Sequence, residues 1–332
     1  MSATSPTHSR RQFLRQSFAA SGAWLWRPET DVYWGRRRAE PHSPCDADPF
    51  AAGRLLGTLP LFGPGADDTP LEKMLGSGLD ARFFTDVSTL GPGTLITPNE
   101  KFFIRTSYPD LLDSRAPWKI AVRGLVKRPV NLRLAELAPL AVPRGTYLIE
   151  CCGNTNPRNF GLMSAARWSG IPISHVLSKL EILPRATHVQ ISGFDHHSPL
   201  PRRSVPGASW IFTFDQLERS GAFLATGMNE VPLPRDHGFP VRLIVPRWYG
   251  CASIKWVNEI VLLDEAAPST DHMREFATRT HQDGIPSLAR DFKPATVDQA
   301  AMAVRIEKWL VDGKIVYRVV GIMWGGSKPT DA

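Results

Sequence analysis

Tyr147-Leu148-Ile149-Glu150-Cys151-Cys152-Gly153-Asn154-Thr155-Asn156 begins as an apolar, strand-like run and ends abruptly in two thiols, a glycine and amides. A strand that stops on Gly and Asn leaves backbone N–H groups and short polar side chains turned toward a ligand. At that point Cys151 can be a structural thiol, half of a disulfide, a nucleophile or a soft metal ligand, and its surroundings decide which. If the segment is extended, Cys152 would point to the opposite face and is expected to pack rather than ligate, with oxidation of an exported vicinal pair as the alternative.

The surroundings are supplied from both directions along the chain. Downstream, Pro232 to Pro240 is a polar turn cluster that feeds the strand Val241-Arg242-Leu243-Ile244-Val245, whose Arg needs an anionic partner beside a buried face. Ser253-Ile254-Lys255-Trp256 follows and leads into the strand Val257 to Leu263. His237, Arg242, Ser253 and Lys255 thereby offer three candidate cations and a hydroxyl on consecutive loops and strand ends, which suits a phosphate-bearing ligand. Upstream, Phe102-Phe103-Ile104-Arg105 is an apolar strand ending in a cation, and Thr187 to Ser192 is a strand ending in Gly193-Phe194-Asp195-His196-His197. His196 and His197 are neighbours on an extended backbone, so they face opposite ways and are expected to be solvated loop histidines.

Composition bounds the alternatives. The 332 residues carry a formal charge of +7, but Lys and Arg are spread along the chain with much of the excess in the first forty residues, so no nucleic-acid footprint is read. Four cysteines, Cys45, Cys151, Cys152 and Cys251, are too few for a disulfide scaffold and lack the Cys-x-x-Cys spacing of a structural zinc site. Cys45 is expected to be incidental. No run approaches the roughly eighteen apolar residues of a membrane span.

Residues 1–30 contain Ser9-Arg10-Arg11-Gln12-Phe13-Leu14-Arg15 and are expected to form a twin-arginine export signal, placing the protein in the periplasm. Residues 31–92, rich in Gly, Pro and Asp, are expected to be an irregular surface extension. Trp118 to Gly124 and Val130 to Leu132 alternate as strands, Leu134 to Leu140 is helix-like, and Asp264 to Pro294 is a polar linker with one helical piece. Ala301 to Lys308, Trp309 to Gly313 and Ile315 to Gly321 are expected to be strands of a second, all-β unit, too few to bury both faces of a sandwich, so a truncated chain is expected.

Taken in order from about Thr97 to Lys328, these stretches resemble the sulfite oxidase family of molybdenum enzymes. The resemblance rests on Phe102-Phe103-Ile104-Arg105, on Cys151-Cys152-Gly153-Asn154 (similar to the family's Cys-Ala-Gly-Asn), on Ala166-Arg167-Trp168-Ser169-Gly170, and on Pro234-Arg235-Asp236-His237-Gly238-Phe239-Pro240-Val241-Arg242 with Ser253-Ile254-Lys255-Trp256 after it. It implies an α+β fold: a mixed-sheet molybdopterin-binding domain over 93–265, a linker over 266–298, and the truncated start of an immunoglobulin-like dimerisation domain over 299–332. It also implies a molybdenum–molybdopterin cofactor, with Cys151 as the protein's sulfur ligand to the metal. The pterin would lie on Phe103, Ile104, Arg105, Thr106, Ser107, Asp195, His237, Arg242, Ser253, Ile254 and Lys255, and Arg105 would also meet an oxyanion substrate.

Three departures bear on the substrate. Arg105-Thr106-Ser107 stands where the family has Arg-Asn-His, so one imidazole is missing. The family's Asp-Tyr pair beside the metal has no clear counterpart, the nearest residues being Glu275 and Phe276. The dimerisation domain stops just past Trp324-Gly325-Gly326-Ser327-Lys328. The expected activity is oxygen-atom transfer to or from a small, sulfite-like oxo-anion. No haem-attachment Cys-x-x-Cys-His is present, so electrons would pass to a separate carrier such as a cytochrome c, and a homodimer is expected if the second domain is complete. The rival readings are a periplasmic sulfoxide-type reductase on the same cofactor and a non-catalytic cofactor-binding or structural protein.

Overall fold

The computed structural model describes residues 48, 50–62, 82–91, 93–109, 112–113, 115–155, 159–197 and 207–326. The expected export signal, Cys45, Asn156, Ser327 and Lys328 lie outside the described residues. In chain order the strands are β1 (Arg54–Pro60), β2 (Lys119–Gly124), β3 (Val130–Arg133), β4 (Val142–Glu150), β5 (Met163–Pro172), β6 (His188–Gly193), β7 (Ser209–Thr213), β8 (Phe223–Met228), β9 (Val231–Pro232), β10 (Arg242–Ile244), β11 (Val257–Leu263), β12 (Ala300–Val311) and β13 (Lys314–Trp324). Among the described residues four short α-helices intervene: α1 (Leu134–Leu137), α2 (Ile173–Leu177), α3 (Phe214–Ser220) and α4 (Asp271–Phe276).

One five-stranded sheet has the order β3-β2-β11-β6-β7. It is mixed, because β11 runs parallel to β2 and antiparallel to β6. The alternation read in 118–124 is the reason β2 belongs here: Ile120 and Val122 are buried on one face while their neighbours Lys119 and Arg123 are exposed. A second sheet runs β10-β8-β5-β4, with β9 paired on β8. It is covered on both faces: Leu224, Ile171 and Leu243 join the core shared with the first sheet, while Phe223, Ala225, Trp168 and Ile244 pack with Phe102 and Phe103 on the other side. Burial on both faces is why β8 reads as a continuous apolar run rather than an alternating one. It also puts Arg242 inside the protein with Leu243 and Ile244.

The third sheet, β1-β12-β13, corrects two expectations. Residues 31–92 are not irregular throughout, since β1 pairs antiparallel with β12 from Arg54 opposite Leu310 to Pro60 opposite Arg305. A bulge between Leu55 and Gly57 breaks its period-two pattern and hides the strand in the sequence. The second correction is that β12 is continuous through Lys308 and Trp309, and the chain reverses at Asp312-Gly313, where both residues take positive φ (50° and 75°). Asp-Gly is the pair that a two-residue hairpin turn favours.

One face of this sheet holds a buried ion cluster. Glu307 accepts from Arg305 Nε (2.7 Å), Trp309 Nε1 (2.9 Å) and Arg318 Nε (2.8 Å), while the Arg318 guanidinium lies between the Phe50 and Trp309 rings. Burial pushes the Glu307 carboxyl up, but the bonds from Arg305, Trp309 and Arg318 outweigh it and hold the group below its ordinary value. A depressed carboxyl stabilises the fold above its unfolded value, and that contribution is lost as pH falls through the folded one. Glu307→Ala leaves Arg305 without its carboxylate and Arg318 with Asp48 alone (3.2 Å), and is expected to cost about 3 kcal/mol, read as a lower urea midpoint at neutral pH. The gap from the parent protein should narrow on acidification.

The segment 266–298, expected to be a linker, is part of the packed domain. Thr270 caps α4 by accepting from Met273 N (3.1 Å), and Met273, Ala277 and Phe292 enter the main core. Helix α4 covers the outer edge of β7, where Ile211 N donates to Met273 Sδ at 3.4 Å. This brings His272 and Phe276 over the ends of the strands that carry the site.

Candidate active site

A cavity opens where β4, β6 and β10 end, and its wall includes Arg105, Cys151, Asp195, Arg242, Lys255 and His272. Cys151 is the first residue after β4. Its backbone N donates to Leu162 O (2.9 Å), and its Sγ accepts from Gly153 N (3.3 Å), so the turn presents the sulfur in a fixed direction. Asn154 closes the turn: its Oδ1 accepts from Leu162 N (3.2 Å) and its Nδ2 donates to Glu150 Oε1 (3.3 Å). Glu150 is itself held by Trp324 Nε1 at 2.7 Å, which ties β13 to the base of the cysteine turn. Burial raises the Glu150 carboxyl above its ordinary value, against the lowering bonds from Trp324 and Asn154.

The cysteine pair differs from expectation. Because β4 ends at Glu150, the backbone is not extended across Cys151 and Cys152, and both line the cavity together with Cys251. All three are free, buried thiols, and the Cys152 sulfur hydrogen-bonds with those of Cys151 and Cys251. Cys152 still packs into the main core, as expected. The bond with Cys152, reinforced by burial, pushes the Cys151 thiol well above its ordinary value. Such a thiol is protonated at neutral pH and makes a poor nucleophile. Binding a metal would deprotonate it outright.

The cationic wall is built from β10 and the loops beside it. Arg242 Nη1 donates to His237 O and Nη2 to Ser253 O, both at 3.1 Å, and its Nε has no partner among the described residues. Among the described residues no carboxylate touches this guanidinium, and burial pulls it down to about 9. Lys255 donates to Thr106 O and to Asp236 O (2.8 Å), linking the loop after Arg105 to the turn at 235–238. Burial, then Arg242, lowers its ammonium. Asp195, raised by burial and lowered by Lys255, is the carboxylate in the cavity wall, and its Oδ1 has no partner among the described residues. Gly238 makes the tight turn that allows this: at φ +109° a Cβ there would meet Arg242 Cβ at 2.9 Å.

Ten of the expected residues line the cavity: Phe103, Arg105, Thr106, Cys151, Asp195, His237, Arg242, Ser253, Ile254 and Lys255. Ile104 and Ser107 are not part of that lining; Ile104 pairs its backbone with Phe83. Two roles change. His237 is not a cation, because burial, with Lys255 nearby, lowers it to about 4, and its Nε2 donates to Asn99 O at 3.0 Å. The Ser253 hydroxyl is engaged in the fold, accepting from Val245 N at 3.2 Å. His196 and His197 are exposed, as the sequence suggested. His272 also lines the cavity and was not among the expected residues; its local sequence signal is Thr270, the cap one residue ahead of α4.

The residues present fit an anionic, metal-bearing cofactor. A buried Arg242 with an unused donor and no touching carboxylate among the described residues, and Lys255 close by, leave positive charge for a ligand phosphate to meet. Among the described residues no group of three or more His, Cys, Asp or Glu could hold a bare ion, so a metal here draws further donors from whatever carries it.

Comparison with known proteins supplies the family. The model of the oxidoreductase molybdopterin binding domain matches residues 106–271. Sulfite oxidase of Gallus gallus is 32% identical over 190 residues, covering 52% of this chain and 41% of that protein. The protein-methionine-sulfoxide reductase catalytic subunit MsrP of Gluconobacter oxydans is 30% identical over 162 residues, covering 46% of this chain and 49% of that protein. The chain thus spans less than half the length of these two relatives. Among solved structures, the sulfane dehydrogenase SoxCD from Paracoccus pantotrophus shares the fold with a TM-score of 0.56 at 16% identity, over 77% of this chain and 75% of that one. The matched domain and the cavity within it lead to one conclusion: the chain belongs to the sulfite oxidase family of molybdopterin oxidoreductases.

Proposed function

We propose that this protein transfers an oxygen atom to or from a small oxo-sulfur compound at the cavity, with Cys151 as the protein ligand to molybdenum. The observation that carries the reading is that a turn-held cysteine and a buried Arg242, with no carboxylate partner among the described residues, share one wall. The cofactor, when bound, supplies two-electron redox chemistry coupled to oxygen transfer. The chain's residues hold and bias that chemistry. Arg242 and Lys255 would take the anionic end of the cofactor, and Asp195 would accept from its polar edge. The Gly153 N–H bond to Cys151 Sγ would withdraw charge from the sulfur and so tune a metal bound there. Arg105, in the same lining, would meet the negative charge of the substrate. Electrons would pass to a separate carrier, and an export signal over 1–30 would place the exchange in the periplasm.

Reduction of a sulfoxide on the same cofactor has specific support, because Phe276, which lacks a phenol hydroxyl, lines the cavity near where the family's Asp-Tyr pair is expected, and MsrP is among the relatives. Holoenzyme should be assayed for sulfite oxidation with an artificial electron acceptor and for methionine sulfoxide reduction with an artificial donor. Turnover in either direction supports oxygen transfer and selects the direction. Loaded enzyme silent on both would sink the proposal.

A further inference from the structure

The first turn of α4 grips Ser209 of β7 by both backbone groups: Thr270 Oγ1 donates to Ser209 O (2.9 Å), and Ser209 N donates to His272 Nδ1 (3.3 Å). An imidazole that accepts at Nδ1 while neutral carries its proton on Nε2. The ring cannot easily flip, since it stands edge-on to Trp210 (86°, 5.8 Å) and Phe276 (78°, 5.2 Å). His272 is 6% exposed and lines the cavity with Arg105 and Phe276, and among the described residues no hydrogen bond engages its Nε2. A tautomer-locked donor on a largely buried side chain in the cavity lining is placed to meet an acceptor on whatever occupies the cavity.

We propose that His272 is a substrate-positioning residue whose Nε2–H, together with the Arg105 guanidinium, binds one oxygen of a small oxo-sulfur substrate against the ring of Phe276. This rests on the reading of the cavity as the molybdopterin site. A cation beside a neutral donor suits an oxygen with full or partial negative charge, as in an oxyanion or an S=O group. Burial, helped by His196 and Arg105, lowers His272 to about 4, so the imidazole stays neutral and remains a donor through the working range of most enzymes.

The test uses molybdenum-loaded holoenzyme and sulfate as an unreactive oxyanion probe. In wild-type protein labelled with [15N]histidine, saturation with sulfate is expected to shift the Nε2–H resonance of His272. His272→Phe should load molybdenum normally, bind sulfate about tenfold more weakly, and raise KM more than it lowers kcat. His272→Gln retains an N–H donor and should recover part of the affinity. The proposal is overturned if loaded wild-type enzyme fails to bind sulfate, if bound sulfate leaves the Nε2 resonance unmoved, or if His272→Phe keeps wild-type sulfate affinity and KM. The resonance decides the matter even where a variant does not fold. Wild-type protein free of molybdenum and pterin is a different failure, which removes the cofactor reading beneath the proposal.

Discussion

Cys151→Ser is expected to eliminate turnover and strip most of the molybdenum from the protein while leaving its fold intact. The side chain is a buried thiol at a tight turn, its backbone N bonded to Leu162 O and its sulfur receiving the Gly153 N–H. A serine hydroxyl can accept the same bond in nearly the same space, so neither the turn nor the apolar cluster around it has to move. The hydroxyl is nevertheless a hard, weakly acidic ligand where a soft thiolate is needed. The loss should therefore exceed the roughly 10–100-fold that removing an outer-shell partner costs a metal site. Metal content, turnover and circular dichroism on one preparation check this. Normal turnover in the folded variant would take Cys151 out of the metal's coordination.

Arg242→Met should separate cofactor binding from fold stability in the opposite sense to an ordinary core substitution. The wild-type guanidinium is buried, is bonded among the described residues only to the carbonyls of His237 and Ser253, and lies 5.6 Å over the Trp168 ring. Replacing such a cation with an apolar side chain of similar length removes a desolvation cost, offset in part by the two carbonyls that lose their donor. Cofactor-free Arg242→Met is thus expected to melt close to the wild-type temperature. The loaded form loses a buried partner for an anion, worth about 2 kcal/mol or more, and should shed the cofactor during gel filtration. Calorimetry on both forms and the metal ratio after the column provide the test. A lower melting temperature with the cofactor retained would make Arg242 a structural cation.

Where the sequence was legible, the reason is local. β11 could be read at its observed bounds, Val257–Leu263, because it is a bounded apolar run next to a turn, and Arg242 stood out because a cation in an apolar strand demands an explanation. The turn at Cys151 was visible in Gly153 and Asn154. What escaped depends on partners distant in the chain. β1 becomes a strand only by pairing with β12, some 250 residues later, and its bulge erases the alternation. His272 gains its tautomer from Ser209, 63 positions earlier, on a helix of six residues inside a stretch too polar to suggest packing. The neutrality of His237 likewise comes from burial, which residue type does not reveal. A motif can therefore name the cofactor while leaving open which groups touch the substrate.

Molybdenum analysis of protein purified from a bacterial host that makes the cofactor, paired with fluorescence of the oxidised pterin released by acid, tests the central claim most directly. Near-stoichiometric metal accompanied by pterin is the expected result. Folded protein with neither, from a host that loads a control molybdenum enzyme, would contradict the assignment of the Cys151–Arg242 cavity as the cofactor site.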